Sequence, residues 1–594
     1  MKKIFFLAVL TLAAITQIHA QLALNWAYNL GDWSLDEGKC ITMAEINSDT
    51  FVVTAGFFTG TVDFDPGPGT ATLTSSPFSS DMYIAKFKKN GMFVWVRQVG
   101  GTTAGSSAEP RNIIADPTGN IYITGKISGT VDFDPGPSVN NLVSAGANDI
   151  FLAKYSNMGA FTWGFRIGST ASDEGWGLNF DNSANILVSG FFSLTMNADP
   201  AGVATPLTSH GGTDIFFARY TSAGAYVLAE SIGGTGDDNC YSIDDDPSGN
   251  ILICGNFVNT VDFNPGPLIA NKTSGGGQDI YLAKYSNVGI FIWVDQLPSI
   301  LLTNGNDVAQ DLVTDASGNI YITGGIGPGT VDFDPTGSVA GMTNTGLAGD
   351  AFIAAYASAG TLIWKRQFAG SSGQNDMGRN IDIDHLGPYL YVTGVYTGVM
   401  DLDVDPGGGT ANTTAFGGMD FFIVRYDLSG TFRNGDGIGG GWDDDCPGLF
   451  VDRTTKDIYV TGYFRVTADF APDPSVYYPL STTSGGVSDR DIFVARYNWT
   501  ALPPRMHSPD DEAAMSRMVS YYPNPTSGKL FIDNMKENSV AELYSLNGEK
   551  LNSWNANGTD KLTVDLNNFA DGIYMLRITN ADGTVTTDKI ILQR

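Results

Sequence analysis

The sequence is poor in histidine, cysteine, glutamate and positive charge, and each shortage excludes a class of protein. Its 594 residues include four His and four Cys, too few for a zinc protein or for a disulfide framework. Lys and Arg total 33 against 63 Asp and Glu, and the net charge of −30 opposes binding to nucleic acid or anionic lipid. Only nine residues are Glu, and the other acids are Asp, which favours turns over helices.

Glycine and proline are abundant, with 72 Gly and 26 Pro. Together with the many Asp residues they predict a turn-rich, all-β protein. A hydrophobic content of 42% is enough to build a core, so the chain is not a disordered acidic polymer. The length exceeds that of one ordinary domain and predicts a large domain followed by a smaller one, or a repeat array.

The first twenty residues have the three parts of a secretory signal peptide. Met1–Lys3 is basic, residues 4–15 are apolar, and Ala20 is the small residue expected before the cleaved bond. The apolar stretch is too short to span a bilayer, and no later segment is apolar enough to do so. We therefore expect cleavage between Ala20 and Gln21, and export of a chain without a transmembrane segment.

One unit of 65 to 70 residues is repeated seven times between residues 21 and 500. Its first marker, Val-Asp-Phe-Asp-Pro-Gly-Pro, places an acidic or amide residue at Asp63, Asp132, Asn197, Asp262, Asp332, Asp401 and Asp469. Its second marker is an Asp that opens an apolar strand, at Asp81, Asp149, Asp214, Asp279, Asp350, Asp420 and Asp491. Each unit holds four short strands, a to d, separated by Gly, Pro, Asn and Asp clusters. Seven such units predict a seven-bladed β-propeller.

The order of the strands predicts how the ring closes. The repeat region begins with Leu24–Leu30, which has the pattern of strand d, and ends with Asp491–Tyr497, which has the pattern of strand c. Pairing these two strands would complete the seventh blade and remove two free sheet edges. We therefore predict that the N-terminal strand closes the ring.

The repeated motifs GNIYITG, GTVDFDPGP and DIFLAKY resemble the bacterial β-propeller repeat family abbreviated SBBP. The resemblance covers roughly residues 21 to 498 and rests on seven coherent copies. It implies a propeller fold and an extracellular setting. The family has no assigned catalytic residues, so the resemblance assigns none here.

The repeat stops before residue 501. Residues 501–518 form a polar, proline-containing linker, and residues 519–594 contain several short strands that predict a small antiparallel β-sandwich. This segment resembles the type A C-terminal sorting domain of type IX secretion substrates. The residues that carry the resemblance are Tyr522, Pro523, Asn524, Pro525, Gly548, Gly572, Tyr574 and Lys589. The resemblance implies a partner in the type IX machinery and secretion, or attachment to the outer surface of a Gram-negative cell after the domain is removed.

Paired aspartates in the first marker suggest a calcium hypothesis. Residues two apart in an extended segment point to one side, and paired carboxylates suit Ca²⁺. The candidate ligands are Asp63, Asp65, Asp132, Asp134, Asp262, Asp332 and Asp334. The favoured alternative is structural: Asp-Pro-Gly is a turn in which the carboxylate accepts backbone N–H bonds. A third interpretation pairs the Asp63 position with the Lys or Arg of strand c. No other cofactor is expected.

Several other positions recur or cluster. Five strand d positions hold Trp26, Trp95, Trp163, Trp293 and Trp364. We predict that these rings pack between blades, because recurrence in many copies is typical of packing. The strand c Asp is expected to close the preceding loop. The acidic runs 244–246 and 443–445 are expected in solvent, and Cys240 and Cys254 lie on adjacent strands that a disulfide could bridge.

No catalytic constellation is present in the sequence, which lacks a nucleophile elbow, a phosphate-binding loop and a zinc-protease motif. The favoured hypothesis is therefore a monomeric, non-enzymatic binding module with an unknown extracellular ligand. The alternative is a secreted glycosidase or lyase, since a propeller can also carry such enzymes.

Overall fold

The computed structural model describes residues 21–32, 34–46, 49–204, 206–300, 305–337, 339–346, 348–370, 376–384, 387–406, 409–473, 476–483, 486, 489–500, 520–522, 528–533, 539–545, 550–556, 562–570, 572–579 and 585–592. Residues 1–501 and residues 502–594 form two separate compact units. The described residues contain strands and turns and no helix, as the composition predicts.

Each repeat contributes strands a and b, two short strands, and then strands c and d. The strands of the first unit are β1 (Gln21–Leu30); β2 (Glu37–Ile46), β3 (Asp49–Phe58), β4 (Thr61–Asp63), β5 (Thr72–Thr74), β6 (Asp81–Lys88), β7 (Phe93–Gly101); β8 (Ser107–Ala115), β9 (Ile121–Ser128), β10 (Thr130–Asp132), β11 (Asn141–Val143), β12 (Asp149–Tyr155), β13 (Phe161–Ile167); β14 (Glu174–Phe180), β15 (Ile186–Phe192), β16 (Thr195–Met196), β17 (Leu207–Thr208), β18 (Asp214–Tyr220), β19 (Tyr226–Gly234); β20 (Asn239–Asp245), β21 (Ile251–Phe257), β22 (Thr260–Asp262), β23 (Asn271–Thr273), β24 (Asp279–Tyr285), β25 (Phe291–Leu297); β26 (Val308–Thr314), β27 (Ile320–Ile326), β28 (Gly329–Asp332), β29 (Gly341–Asn344), β30 (Asp350–Tyr356), β31 (Leu362–Phe368); β32 (Met377–Ile383), β33 (Tyr389–Tyr396), β34 (Val399–Asp401), β35 (Asn412–Thr414), β36 (Asp420–Asp427), β37 (Phe432–Gly440); β38 (Asp445–Val451), β39 (Ile458–Phe464), β40 (Thr467–Asp469), β41 (Pro479–Ser481) and β42 (Asp491–Thr500).

The long strands pair as seven antiparallel groups of four, which we number as the first to the seventh sheet. In the order a, b, c, d they are β2-β3-β6-β7, β8-β9-β12-β13, β14-β15-β18-β19, β20-β21-β24-β25, β26-β27-β30-β31, β32-β33-β36-β37 and β38-β39-β42-β1. The predicted pairing of the N-terminal strand is present: β1 runs antiparallel to β42, with Leu24 opposite Tyr497 and Leu30 opposite Ile492.

Local sequence explains the turns at one end of the sheets. In the second sheet, strands a and b are joined by Asp116–Asn120, where Asp116 Oδ1 accepts the backbone N–H groups of Thr118 and Asn120 at 2.9 Å each. Gly119 has a φ of 78°, which a side chain would disfavour. The Asp-Pro-Thr-Gly-Asn sequence is therefore a tight turn that fixes the register of its hairpin.

Neighbouring sheets are joined by hydrogen bonds between their a strands. Carboxylates on one a strand accept backbone N–H groups from the next: Asp244 from Thr314 at 2.8 Å, Asp311 from Ile381 at 2.9 Å and Asp382 from Val451 at 2.7 Å. The seventh sheet contacts the first through the hydroxyl groups of Thr461 and Thr54, 3.2 Å apart. The core lies between the sheets, and its apolar clusters each combine side chains of neighbouring sheets.

The two short strands between b and c form a hairpin in each repeat, which we call the flap together with its connecting loop. The seven flap hairpins are β4-β5, β10-β11, β16-β17, β22-β23, β28-β29, β34-β35 and β40-β41. Three flaps also pair with strand d of the preceding sheet, placing Val131 opposite Gly101, Val261 opposite Gly234 and Ala468 opposite Gly440. The flaps therefore help to join one sheet to the next.

The second unit contains β43 (Ser520–Tyr522), β44 (Lys529–Asp533), β45 (Val540–Tyr544), β46 (Lys550–Asn555), β47 (Leu562–Asp565), β48 (Gly572–Thr579) and β49 (Val585–Leu592). They form a three-stranded sheet, β43-β44-β47, and a four-stranded sheet, β46-β45-β48-β49. Buried side chains from both sheets, including Leu530, Val564, Leu543 and Leu576, belong to one apolar cluster. This unit has its own core.

Candidate functional site at the strand bulges

Strand a of every sheet carries a β-bulge close to its first residue. In the first sheet Gly38 lies opposite Gly56 and Cys40 lies opposite Ala55, so Lys39 between them has no residue opposite it on strand b. A bulge of this kind adds one unpaired residue and re-aims its side chain. The bulge residues of the seven sheets, in order, are Lys39, Arg111, Trp176, Tyr241, Gln310, Arg379 and Pro447.

A glycine on strand b makes room for each bulge. A Cβ added to Gly56 would lie 2.0 Å from the carbonyl oxygen of Glu37, and one added to Gly462 would lie 1.9 Å from that of Asp445. The seven glycines are Gly56, Gly125, Gly190, Gly255, Gly324, Gly394 and Gly462. Glycine is therefore required at this place by the close approach of two backbones.

The bulge residues differ from sheet to sheet although the frame around them is the same. Six residue types occupy seven equivalent positions, and each side chain is partly buried. Two flanking positions also vary. The residue two before the bulge is Glu37, Glu109, Glu174, Asn239, Val308, Met377 or Asp445, and its strand b partner is Phe57, Lys126, Phe191, Asn256, Gly325, Val395 or Tyr463. We call these 21 residues the bulge set.

Ion pairs connect the bulge set across several sheet boundaries. Arg379 Nη2 lies 2.8 Å from Asp445 Oδ2, joining the sixth sheet to the seventh. Glu37 pairs with Lys39 and with Arg490, the residue just before β42, joining the seventh sheet to the first. Burial raises the pKa of Glu37, but these two cations outweigh burial and hold the pKa below its usual value. Glu37 is therefore an ionised, paired carboxylate.

A second ion-pair group joins the second sheet to the third. Glu174 Oε2 lies 3.1 Å from Arg111 Nη2, and Glu174 Oε1 lies 3.0 Å from Lys126 Nζ. The Arg111 guanidinium also lies over the Trp176 ring, 4.5 Å from its centroid. We call the bulge set of the sixth, seventh, first and second sheets, with Glu174, the charged arc.

The rest of the bulge set is uncharged. The Trp176 and Tyr241 rings meet edge to face at 5.0 Å, and Phe191 lies 6.5 Å from Tyr241. Asn256 is 1% exposed, and neither its Nδ2 nor its Oδ1 has a hydrogen-bond partner among the described residues. Burial raises the pKa of Tyr241 to about 12, so its phenol is neutral. We call Trp176, Phe191, Tyr241, Asn256 and Gln310 the uncharged arc.

The flap aspartates form closed hydrogen-bonded loops. Asp132 Oδ1 accepts the backbone N–H groups of Asp134 at 3.1 Å and Asn140 at 2.8 Å, and Asp134 Oδ1 accepts that of Gly136 at 2.8 Å. The other predicted calcium ligands make equivalent bonds: Asp63, Asp65, Asp262, Asp332 and Asp334. These bonds are those of the predicted Asp-Pro-Gly turn.

Residue 264 shows what the turn needs from its side chain. Asn264 takes the place of Asp134 in the fourth flap, and its Oδ1 accepts the Gly266 N–H at the same 2.8 Å. A neutral amide is therefore sufficient for the turn. Within the described ranges, no group of three or more His, Cys, Asp or Glu side chains is placed to hold a metal. Calcium binding by the flaps stays a prediction.

The third interpretation of the Asp63 position is wrong. Cations of strand c pair with aspartates of the a–b turns instead: Arg219 with Asp181, and Lys284 with Asp246 at 2.8 Å. The reason is geometric. The cation lies one residue from the end of strand c, which ends at the a–b turns, whereas the flaps lie at the other end of the sheet.

Buried aspartates lie just before strand a in six sheets. They are Asp36, Asp173, Asp238, Asp307, Asp376 and Asp444, with Ser106 in the second sheet. Asp238 accepts the N–H groups of Val258 at 2.9 Å and Gly234 at 2.7 Å. Burial nevertheless raises the pKa of Asp238 to about 7 and that of Asp36 to about 8. These carboxyl groups hold the loop before strand a, and the raised pKa values of Asp36 and Asp238 place their proton uptake near neutral pH.

Two of the remaining predictions are confirmed. The strand c aspartate closes the preceding loop, as where Asp279 Oδ2 accepts the Gly275 N–H at 3.0 Å. The strand d tryptophans pack against the next sheet, as predicted. Trp26 Nε1 donates to Lys89 O at 3.0 Å, and Trp364 Nε1 donates to Leu428 O at 2.9 Å.

The acidic runs do not lie in solvent as predicted. Asp244 and Asp444 are buried, because the neighbouring strands supply N–H donors that the sequence does not reveal; Asp444 accepts that of Arg465 at 3.0 Å. The thiols of Cys40, Cys240, Cys254 and Cys446 are all buried, and none of them forms a disulfide. Cys240 and Cys254 therefore do not form the disulfide that their adjacent strands allow.

The predicted sorting residues are partly described. Tyr522 lies in β43, Gly572 begins β48 and Lys589 lies in β49. Tyr574 Oη donates to the carbonyl oxygen of Ala570 at 2.6 Å. Pro523, Asn524, Pro525 and Gly548 lie outside the described residues, as do the signal peptide with Ala20 and the linker 501–518; Gln21 is the first residue of β1.

Comparison with protein families identifies both parts of the chain. The profile of the secretion system C-terminal sorting domain matches residues 520–593, and the SBBP beta-propeller repeat profile matches residues 94–131. The C-terminal match indicates export through the type IX secretion system, to the medium or to the cell surface. The chain is therefore an exported β-propeller protein with a sorting domain. No apolar helix of membrane-spanning length occurs in the ranges described.

Two curated proteins share part of the chain. An uncharacterized WD repeat-containing protein, L264, of Acanthamoeba polyphaga mimivirus is 26% identical over 326 residues, 46% of this chain and 22% of that protein. The regulatory protein FlaEY of Caulobacter vibrioides is 26% identical over 369 residues, 60% of this chain and 36% of that protein. This chain thus spans well under half the length of these relatives.

Two solved structures show only distant likeness. PorZ, a surface component of the type IX secretion system of Porphyromonas gingivalis, is 10% identical with a TM-score of 0.28, covering 93% of this chain and 75% of PorZ. Chaetomium thermophilum Sqt1, solved with the N-terminus of ribosomal protein L10, is 12% identical with a TM-score of 0.32, covering 73% of this chain and 96% of Sqt1. Scores this low have no weight in assigning the fold.

Proposed function

We propose that this chain is a monomeric, seven-bladed β-propeller with a C-terminal sorting β-sandwich, and that it acts as a non-enzymatic binding module at the cell surface. The seven sheets are its blades, and the contact between Thr461 and Thr54 is the point where the ring closes. The ligand sits over the bulge set, where the seven a strands begin.

The observation that supports this proposal is the variation of the bulge residues within a constant frame. A residue that every copy needs for its own structure is the same in every copy, as the strand b glycine is. Six residue types at seven equivalent bulges are not set by packing. A single ligand that touches several copies would meet a different part of its surface at each one, and would select such variation.

The ion pairs support binding over catalysis. A general acid needs a carboxyl group whose pKa is raised, and an acid–base pair needs two carboxyl groups in different environments. The pKa of Glu37 is lowered, and Glu174 lies between Arg111 and Lys126. These carboxylates hold neighbouring sheets together, and Asp36 and Asp238, whose pKa values are raised, are fully buried.

The test is a panel of glycans, polysaccharides and extracellular proteins, measured for binding and for turnover with the purified exported chain. We expect at least one ligand to bind without being altered, and Tyr241→Ala to abolish that binding. Asp132→Asn, which gives the second flap the amide that the third flap has at Asn197, should leave binding unchanged. Turnover of any ligand, or binding that neither Tyr241→Ala nor Arg379→Gln weakens, would overturn the proposal.

A further inference from the structure

The two arcs differ in how their polar side chains are partnered. Each cation of the charged arc has a carboxylate partner, although Arg111 Nε itself is buried without one, whereas the Asn256 amide of the uncharged arc has no partner at either atom among the residues described. In the charged arc, Lys39, Arg111, Lys126 and Arg379 each lie within 4 Å of a carboxylate oxygen of Glu37, Glu174 or Asp445, and Arg490, outside the arc, also pairs with Glu37. Because opposite charges already pair, this arc offers little net charge to a ligand. Binding a strongly charged ligand there would break pairs that join neighbouring sheets.

Two polar groups of the uncharged arc are buried and unpaired. The Asn256 amide lacks both a donor and an acceptor partner, and Trp176 Nε1 has no acceptor. Leaving a buried polar group unpaired costs about 1–3 kcal/mol, and such groups are rare in folded proteins. Asn256 has the same position on strand b of the fourth sheet as Lys126 has in the second sheet and Phe191 in the third. Because Lys126 and Phe191 each contact strand a of the following sheet, Asn256 faces the start of strand a of the fifth sheet.

The chemistry of this arc fits a sugar. An amide side chain both donates and accepts hydrogen bonds, as vicinal hydroxyl groups do. The partly exposed rings of Trp176 and Tyr241 supply flat apolar surface beside it, with Gln310 on the next sheet as a second amide. From these observations we propose that the uncharged arc binds a neutral oligosaccharide, with Asn256 and Trp176 Nε1 bonded to its hydroxyl groups. This inference rests on the proposed binding function.

The experiment uses the full exported chain and three kinds of probe. The neutral probes are the hexasaccharides of maltose, cellulose, mannan and xylan type; the anionic probes are hexagalacturonate and heparin; the third probe is a tryptic digest of casein. Binding is measured by calorimetry and by ligand-observed NMR. The variants are Asn256→Leu and Trp176→Phe, which remove the polar groups and keep most of the volume. Trp163→Phe is the matched control, because Trp163 Nε1 is also buried and unpaired but lies on an outer strand.

We expect a neutral hexasaccharide to bind, and each of the two variants to weaken it about tenfold, the equivalent of one lost hydrogen bond. Trp163→Phe should bind as the unchanged protein does. Binding of only an anionic probe or a peptide, lost in Arg379→Gln and kept in Asn256→Leu, would overturn this inference and leave the proposed function standing. A panel in which no probe binds, or in which neither arc affects binding, would overturn both. Melting temperatures of all variants show whether the fold is retained.

Discussion

The flaps and the bulge set lie at the same end of the sheets, but the flaps keep their key residues from copy to copy whereas the bulge set varies them. Six flaps repeat one solution, an oxygen at the Asp132 position that accepts two N–H groups. Even Asn264 preserves the bond made at the second position. The bulge set repeats only its backbone, and no two copies carry the same combination of three side chains. Positions that a repeat keeps are those that its own packing needs, and positions that it varies are free for a ligand.

The largest expected effect is on stability and comes from removing the N-terminal strand β1, which completes the seventh sheet. Deletion of residues 21–31 exposes the edge of β42 and loses the burial of Leu22, Trp26 and Leu30, all under 9% exposed. At about 1.5–3 kcal/mol for each large apolar side chain, we expect a loss of about 5 kcal/mol or more in the free energy of unfolding. Chemical denaturation measures it. An unchanged midpoint would contradict the role of β1 in closing the seventh sheet.

The next effect is the pH dependence of stability, which comes from buried aspartates just before strand a or at the start of strand c. Burial raises the pKa of Asp238, Asp376 and Asp420 to about 7 each, so the folded chain binds protons that the unfolded chain binds only near pH 4. Stability should therefore rise as the pH falls from 8 to 5, by on the order of 2 kcal/mol for each of the three groups, and this gain should be lost as the pH rises through 7. Urea midpoints across this range measure the change.

Variants assign that pH dependence to the buried groups. Asp238→Asn should reduce the slope of stability against pH. Asp334→Asn is the control: its carboxyl group is exposed, and hydrogen bonds from Thr336 lower its pKa, so it carries no proton change in this range. A slope unaffected by Asp238→Asn, or a stability that falls on acidification from pH 8 to 5, would contradict the buried-carboxyl account.

A smaller effect separates the flap from the bulge set directly. Asp132→Ala removes the acceptor of two backbone N–H groups and should cost about 1–3 kcal/mol, whereas Asp132→Asn keeps an acceptor oxygen and should cost less than about 0.5 kcal/mol. Neither variant should change ligand affinity. Equal destabilisation by both would mean that the negative charge, and not the hydrogen bonds, is what the flap needs.

The smallest expected effect is that of calcium removal. Since Asn264 supports its turn without a charge, we expect a chelator to leave the melting temperature within about 1 °C, a change too small to represent a lost stabilising site. The control is sodium added at equal ionic strength, because screening alone helps a chain of charge −30. Stabilisation by calcium and not by sodium would establish the flaps as calcium sites.

The repeated part of the fold could be predicted from the sequence because repetition multiplies each weak signal. The Asp markers give the first residue of all seven c strands, although the last of them, β42, runs to Thr500 and not to Tyr497 as predicted. The leftover strand at each end of the array predicts the β1–β42 pair. The bulges could not be predicted in the same way, because they lie close to the start of strand a and too few residues precede them for a shift in the alternation to be recognised. The signal that could have found them is the strand b glycine in all seven copies.

Burial of charge also lay beyond sequence reasoning. A run such as Asp244–Asp246 is typical of a solvent-exposed segment, because nothing in it shows that Thr314 of the next sheet donates its N–H to Asp244. The ion pairs of the charged arc join residues far apart in the chain, such as Glu37 and Arg490, and depend on a three-dimensional arrangement of seven copies. Aligning the copies could have shown which positions vary, but it could not have shown that these positions lie close together in the folded chain.

Exchanging residues between copies of the repeat separates the role of the bulge set from that of the flaps in one experiment. One protein carries Tyr241→Gln with Asn256→Val, the residues used by the fifth and sixth sheets, and another carries Asn264→Asp, the residue used by most other flaps. Affinity for the ligand found by the panel, and free energy of unfolding, are measured for both. The account predicts that the bulge exchange weakens binding at least about tenfold while stability stays within about 2 kcal/mol, and that the flap exchange changes neither. Binding that survives the bulge exchange, or that is lost in the flap exchange, would contradict it.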